Sequence, residues 1–207
     1  QGYTQTTPLQ LCLMTAQLAN GGFKIYPKII VEEDGKTSEE IKLIMNKNRK
    51  KLYKKDNGLK DTTEELLGFL DKKEHETLFK SSKNIDLVRE AMFASTNEIR
   101  GTSYKSRIDD PKYQFAGKTG TSQVKRITEA ARELDLSTSE IPYNERDHAL
   151  YIAFGPYKNP RYALSIVIEH GGSGSSAAAP IAKKLFKLII DRHELREKQI
   201  KKNNLEI

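Results

Sequence analysis

A single cysteine, Cys12, stands among the 207 residues, so an intramolecular disulfide is excluded, while neither a reducing nor an oxidising compartment is. No apolar run reaches the ~18 residues that a membrane-spanning helix needs. No basic segment followed by an apolar core opens the chain, so no signal peptide is visible. The first residue is Gln1 rather than Met, and a signal or anchor is therefore expected upstream of it. Metal-ligand spacing is missing as well. His75-Glu76 and His193-Glu194 lack the second histidine of H-E-x-x-H, and His148 and His170 fit no ligand pattern. His148, at the head of a strand-like run, reads as a structural histidine. Residues 171–176 lack G-x-S-x-G, so they form no nucleophile elbow and read as a flexible Gly/Ser turn or a cleft lip. No internal repeat is present, and no metal or cofactor is expected.

Charge is abundant. Lys plus Arg is 35 against 28 for Asp plus Glu, a net +7. Such an excess favours anionic partners. Its distribution argues against a nucleic-acid reader: residues 183–207 carry eight basic and four acidic residues, more than half of the excess, and read as a solvated helix end. Residues 32–76 hold 11 basic and 12 acidic residues with sparse apolar ones, and read as a surface insertion. Its basic peak, 47–55 with Tyr53 interleaved, is the alternative site for nucleic acid or another anionic polymer.

Local signals place the elements. Thr7-Pro8-Leu9-Gln10 predicts a capping box with Pro at the first helical position, and Gly21-Gly22 a stop. Leu11, Met14 and Leu18 are expected on the buried face. Residues 23–31, interrupted by Pro27, read as a short strand pair or an extended stretch. A second helix is predicted over 84–99 on Ile85, Val88 and Met92, with Leu87 and Ala91 beside them and Gly101 as a stop. Strands follow over 115–124, 148–154 and 161–169, with 155–160 as a hairpin loop. Pro180 then opens a helix expected to bury Ile181, Leu185, Leu188 and Ile189. The fold class is α/β: an antiparallel sheet with packed helices.

The chemistry concentrates in Gly117-Lys118-Thr119-Gly120-Thr121. A phosphate-binding loop would need glycine where Lys112 stands, and a helix where an extended pattern continues. On a strand, Lys118 offers a cationic donor beside a nucleophile. Thr119 and Thr121 share one face through the two-residue alternation, and Gly120 leaves the backbone open to an extended peptide. A backbone N–H at such an edge donates into an oxyanion hole. Cys12 has nothing beside it in the sequence to lower its pKa.

This stretch, with its neighbours, resembles the class B penicillin-binding proteins. The resemblance is carried by Gln1-Gly2-Tyr3, Thr7-Pro8-Leu9-Gln10, Gly117 to Val124, Asp147-His148-Ala149-Leu150, Gly155-Pro156, Asn159-Pro160-Arg161-Tyr162-Ala163 and Glu169-His170-Gly171-Gly172-Ser173-Gly174. The hairpin and the Glu169-His170 turn are more similar to the elongation-type enzymes than to the division-type. The resemblance implies the C-terminal part of a penicillin-binding transpeptidase, a serine β-lactamase-like fold, over 1–191, with 32–76 inserted and 192–207 as a basic tail. It implies a peptidoglycan D,D-transpeptidase at the periplasmic face of the inner membrane that crosslinks stem peptides and is acylated by β-lactams. Membrane glycosyltransferase and rod-complex partners follow for the full-length protein, and no nucleic acid. Lys118 becomes the catalytic residue, and Thr119, Gly120 and Thr121 the substrate-binding ones. The Thr121 N–H would complete an oxyanion hole with the nucleophile's own N–H. In the family S-x-x-K and S-x-N precede the stretch that Gln1-Gly2-Tyr3 resembles, so the nucleophile is expected outside this chain. Ser122-Gln123-Val124-Lys125, Ser82-Lys83-Asn84 and Ser95-Thr96-Asn97 match those patterns only in spelling: the first continues a strand, and the others come too late in the order. The division-type transpeptidase and a non-catalytic anion-binding module are the competing readings.

Overall fold

The computed structural model describes residues 5–27, 77–124 and 138–203. Within them a three-stranded antiparallel sheet, in the order β1-β2-β3, is flanked by helices on both faces. The elements run α1 (Pro8–Ala19), α2 (Ser82–Asn97), β1 (Ala116–Ser122), β2 (His148–Gly155), β3 (Tyr162–Ile168) and α3 (Ala179–Asn203). Residues 32–76, read from the sequence as an insertion with a basic peak at 47–55, and Gln1-Gly2-Tyr3 lie outside the described residues.

α1 begins where the sequence expects it. The Gln10 N–H donates to Thr7 Oγ at 3.2 Å, and the Thr7 N–H donates to Gln10 Oε1 at 2.8 Å. Gly21 and Gly22, at φ 94° and 88°, take the chain out of the helix through a region that L side chains avoid. The buried residues of α1 are Thr15 and Ala19, whereas Met14 is exposed. Small side chains let this helix lie close on β3 and β2, so size rather than hydrophobicity selects its inner face. Phe23 makes an isolated bridge to Thr77, and residues 24–27 carry no regular element.

Two-residue alternation divides the core between the sheet's faces. Ala116, Ile152, Phe154 and Ala163 pack against Leu18 and Ala19 of α1 and Met92 and Phe93 of α2. Phe115, Ala149, Tyr151, Ala153, Leu164, Ile166 and Ile168 pack against Ala182, Phe186 and Ile190 of α3. The expected inner face of α3 is therefore wrong by about a quarter turn: Leu188 is 63% exposed and Ile181 partly so. Alanines at 178, 179 and 182 admit the sheet closely, and Phe186 stacks on Phe115 with ring centroids 4.9 Å apart. In α2 Ile85 and Met92 are buried as expected, while Val88 and Leu87 face out.

α3 runs unbroken to Asn203, through the position where the sequence reading begins the tail. Two surface clusters tie it to the body. Lys112 Nζ reaches Asp191 at 3.0 Å and Glu194 at 2.9 Å, and Arg161 reaches Glu197 at 2.8 Å. The Tyr113 hydroxyl and then Lys112 hold the Asp191 carboxyl below its ordinary range, and Arg161 does the same for Glu197. Exposed pairs of this kind are screened by solvent, so they orient the helix more than they stabilise it. No helix among the described residues is long and apolar enough to cross a membrane.

Candidate active site

β1 starts buried at Ala116 and Gly117 and emerges at Lys118. The helices cover only its first half, so the Lys118-Thr119-Gly120-Thr121 stretch is left accessible at the edge of the sheet. Its pairing is Lys118 with Ile152, Thr119 with Tyr151, Gly120 with Leu150 and Thr121 with Ala149. Thr119 and Thr121 thus share one face, and Lys118, Gly120 and Ser122 the other. β1 pairs with β2 on one side only among the described residues, which leaves the backbone groups of its outer edge facing away from the sheet.

The Lys118 ammonium folds back over the next residue, donating to the Thr119 carbonyl at 2.9 Å and to Thr119 Oγ at 3.3 Å. The Thr119 hydroxyl also meets Thr102 Oγ at 3.3 Å. Thr121 is exposed, and a side chain on Gly120 would meet only Leu150 Cβ at 3.3 Å, so an extended ligand has close access to the backbone there. The arrangement offers cationic and hydroxyl donors along one open strand edge.

Residues that the sequence reading passed over hold this strand in place. Beneath Gly117 lies a buried hydroxyl cluster: Tyr151 Oη is 3.0 Å from Thr96 Oγ and 3.0 Å from Ser103 Oγ. Ser103 Oγ donates to the Ser95 carbonyl at 3.0 Å. One polarity satisfies all of them, with Thr96 donating to Tyr151, Tyr151 to Ser103 and Ser103 to Ser95 O. Burial pushes the Tyr151 phenol up, partly offset by its bonds to Ser103 and Thr96, so it stays a neutral donor. Gly117 is required because a Cβ there would collide with the Tyr151 hydroxyl. The signal available in the sequence was Gly117 itself, directly before the lysine. Tyr151→Phe keeps the ring and removes the buried hydroxyl that bonds both Thr96 and Ser103. It is expected to lower stability by about 1–2 kcal/mol in urea denaturation, and an unchanged midpoint would show the cluster to be energetically idle.

The spelling matches resolve into structural parts. In Ser95-Thr96-Asn97, the last turn of α2, Asn97 Nδ2 donates to the Phe115 carbonyl at 2.9 Å and Thr96 belongs to the buried cluster. Ser82-Lys83-Asn84 forms the first turn of α2. Ser122 ends β1, and Lys125 lies outside the described residues. The Gly/Ser segment is not a free turn: residues Gly174–Ala178 wind into a π turn that leads into α3, with Gly174 buried against the backbone of Gly120 and Leu150.

The structure joins His148 and His170, which the sequence had left apart. The His170 N–H donates to His148 Nδ1 at 2.9 Å, and His170 sits at φ 54°. This contact pins the turn after β3 to the start of β2. No group of three or more His, Cys, Asp or Glu suited to a metal occurs among the described residues. Cys12 donates to the Ala163 carbonyl at 3.5 Å, and burial pushes its thiol up, away from the thiolate.

Comparison with known proteins gives one family over most of the chain. The penicillin binding protein transpeptidase domain family matches residues 1–187. The peptidoglycan D,D-transpeptidase MrdA of Salmonella typhimurium is 32% identical over 192 residues, covering 92% of this chain and 26% of that protein. The protein of the same name from Escherichia coli K12 is 34% identical over 106 residues, covering 51% of this chain and 15% of that one. Among solved structures, Pseudomonas aeruginosa PBP2 in complex with WCK 5153 superposes with a TM-score of 0.55 at 30% identity, over 88% of this chain and 29% of that chain. The chain spans about a quarter of the length of the curated relatives it matches.

Proposed function

Because the chain belongs to the penicillin-binding protein transpeptidase domain family, we propose that the protein containing it is an elongation-type peptidoglycan D,D-transpeptidase. The carrying observation is the open Lys118-Thr119-Gly120-Thr121 edge of β1, held rigidly from behind and exposed in front. In this reading a stem peptide lies along β1 as an added strand beside Gly120. A serine from outside these 207 residues attacks the D-Ala-D-Ala carbonyl. Lys118 places positive charge beside that serine and favours movement of its proton. Thr119 and Thr121 hydroxyls donate to the terminal carboxylate of the donor peptide. The Thr121 N–H and the nucleophile's own N–H stabilise the tetrahedral oxyanion. β-Lactams enter the same route because they present a carboxylate and a strained amide in that arrangement. The similarity to peptidoglycan D,D-transpeptidases named MrdA supports the elongation branch over the division branch; a periplasmic site of action beneath an inner-membrane anchor, with glycosyltransferase and rod-complex partners, belongs to the same proposal.

The full-length protein is expected to form one stable penicilloyl adduct on a serine outside residues 1–207, and the isolated 207-residue chain none. Intact mass measurement after incubation with benzylpenicillin checks both. An unmodified full-length protein removes the transpeptidase reading, and an adduct on a serine of this chain removes the assignment of the nucleophile.

A further inference from the structure

A second row of hydroxyls runs beside the buried cluster and ends on the candidate site. Ser95 Oγ lies 3.2 Å from Thr102 Oγ, and Thr102 Oγ lies 3.3 Å from Thr119 Oγ. Lys118 Nζ closes the row by donating to Thr119 Oγ at 3.3 Å. Thr102 reaches β1 because the chain doubles back over the end of α2. The Gly101 N–H donates to Glu98 O at 2.8 Å, and the Ser103 N–H donates to Ser95 O at 3.0 Å. Gly101 lies so close to the Ser95 and Ala94 carbonyls that any Cβ there would collide with them.

We propose that Thr102 is a positioning residue for Thr119, turning the Thr119 hydroxyl into a donor committed to an anionic ligand. A hydroxyl has one proton and two acceptor sites. Lys118 occupies one acceptor site on Thr119. When Thr102 donates to the other, the Thr119 proton is the only hydrogen-bonding capacity left, and it serves an acceptor such as a carboxylate. The polarity Ser95 to Thr102 to Thr119 extends to the ligand, and each link polarises the next. The present contacts are long for O–H···O bonds, so the row is poised, and an anion accepting from Thr119 draws it tighter. The proposal rests on reading Thr119 as a carboxylate contact.

The test uses full-length protein and benzylpenicillin, separating the dissociation constant from the acylation rate constant. Thr102→Val is expected to raise the dissociation constant about three- to tenfold and leave the acylation rate constant near parental. Thr102→Ser, which keeps the hydroxyl, is expected to stay near parental in both. In a Thr119→Val background, Thr102→Val should add nothing further. Equal impairment of the Ser and Val variants, or a full additive loss in the double variant, would make Thr102 a structural residue and overturn the proposal. Should Thr102→Val not fold, Ser95→Ala cuts the same row at its far end and is read by the same double-variant comparison. If Thr119→Val alone binds benzylpenicillin like the parent, the carboxylate reading of Thr119 fails, an outcome distinct from failure at Thr102.

Discussion

Replacing Lys118 with alanine in the full-length protein is expected to slow acylation by a carboxylate-bearing β-lactam by about 10²–10³, the usual contribution of one well-placed donor to a developing charge. Its melting temperature should hardly move. Lys118 is exposed, and among the described residues its ammonium bonds only to the Thr119 carbonyl and hydroxyl, so little folding energy depends on it. Thr121→Val should show a smaller defect. It removes a hydroxyl and leaves the backbone N–H, which any residue at that position supplies. Thr119→Val should resemble it, since the register with Tyr151 and Ala149 puts both threonines on one face. Stopped-flow acylation of the three variants, with thermal melts as the folding control, orders them. A parental rate for Lys118→Ala reduces Lys118 to an ordinary strand lysine and removes the site assignment.

Gly174→Ala is expected to rank with Gly101→Ala among the most damaging single-methyl changes in the described residues, at about 3 kcal/mol, the upper range for overpacking a dense region. The added Cβ would lie 2.7 Å from the Gly120 carbonyl oxygen and closer still to that of Leu150. Both oxygens belong to the β1–β2 ladder, which cannot yield without breaking its register. Gly120→Ala, by contrast, meets one side-chain carbon at 3.3 Å and should cost far less stability. Guanidinium unfolding of the two variants in the full-length protein separates them. A Gly174→Ala midpoint equal to the parent's would mean that the π turn stands clear of the strand. Gly174→Ala should also depress acylation beyond its effect on folding, because shifting the Gly120 backbone moves its neighbours Thr119 and Thr121 on the ligand-facing edge.

Both expectations show where the sequence was legible. The cap at Thr7, the stops at Gly21 and Gly22, the three strands and the shared face of Thr119 and Thr121 all depend on residues within a few positions of one another. The Lys118-Thr119-Gly120 element was readable for the same reason: its chemistry sits in one short strand. On α1 Leu18 packs inward as read, but Met14 there and Leu188 on α3 were misjudged because hydrophobicity ranked them above Thr15 and Ala182. What buries a helical residue is the shape of the surface it meets, and the sheet meets small residues here.

The sequence by itself determined that this chain carries a lysine, two threonines and a glycine in an exposed strand of an α/β sheet, because alternation and capping are properties of neighbouring residues. Only the tertiary structure decided what holds that strand. Tyr151 lies 55 residues from Thr96 in the chain, and Thr102 lies 17 from Thr119. Gly174 meets Gly120 from the far side of two intervening elements. No local period relates such pairs. They meet because burying both faces of one small sheet leaves few ways to lay three helices on it, and the polar groups carried inward must then find each other.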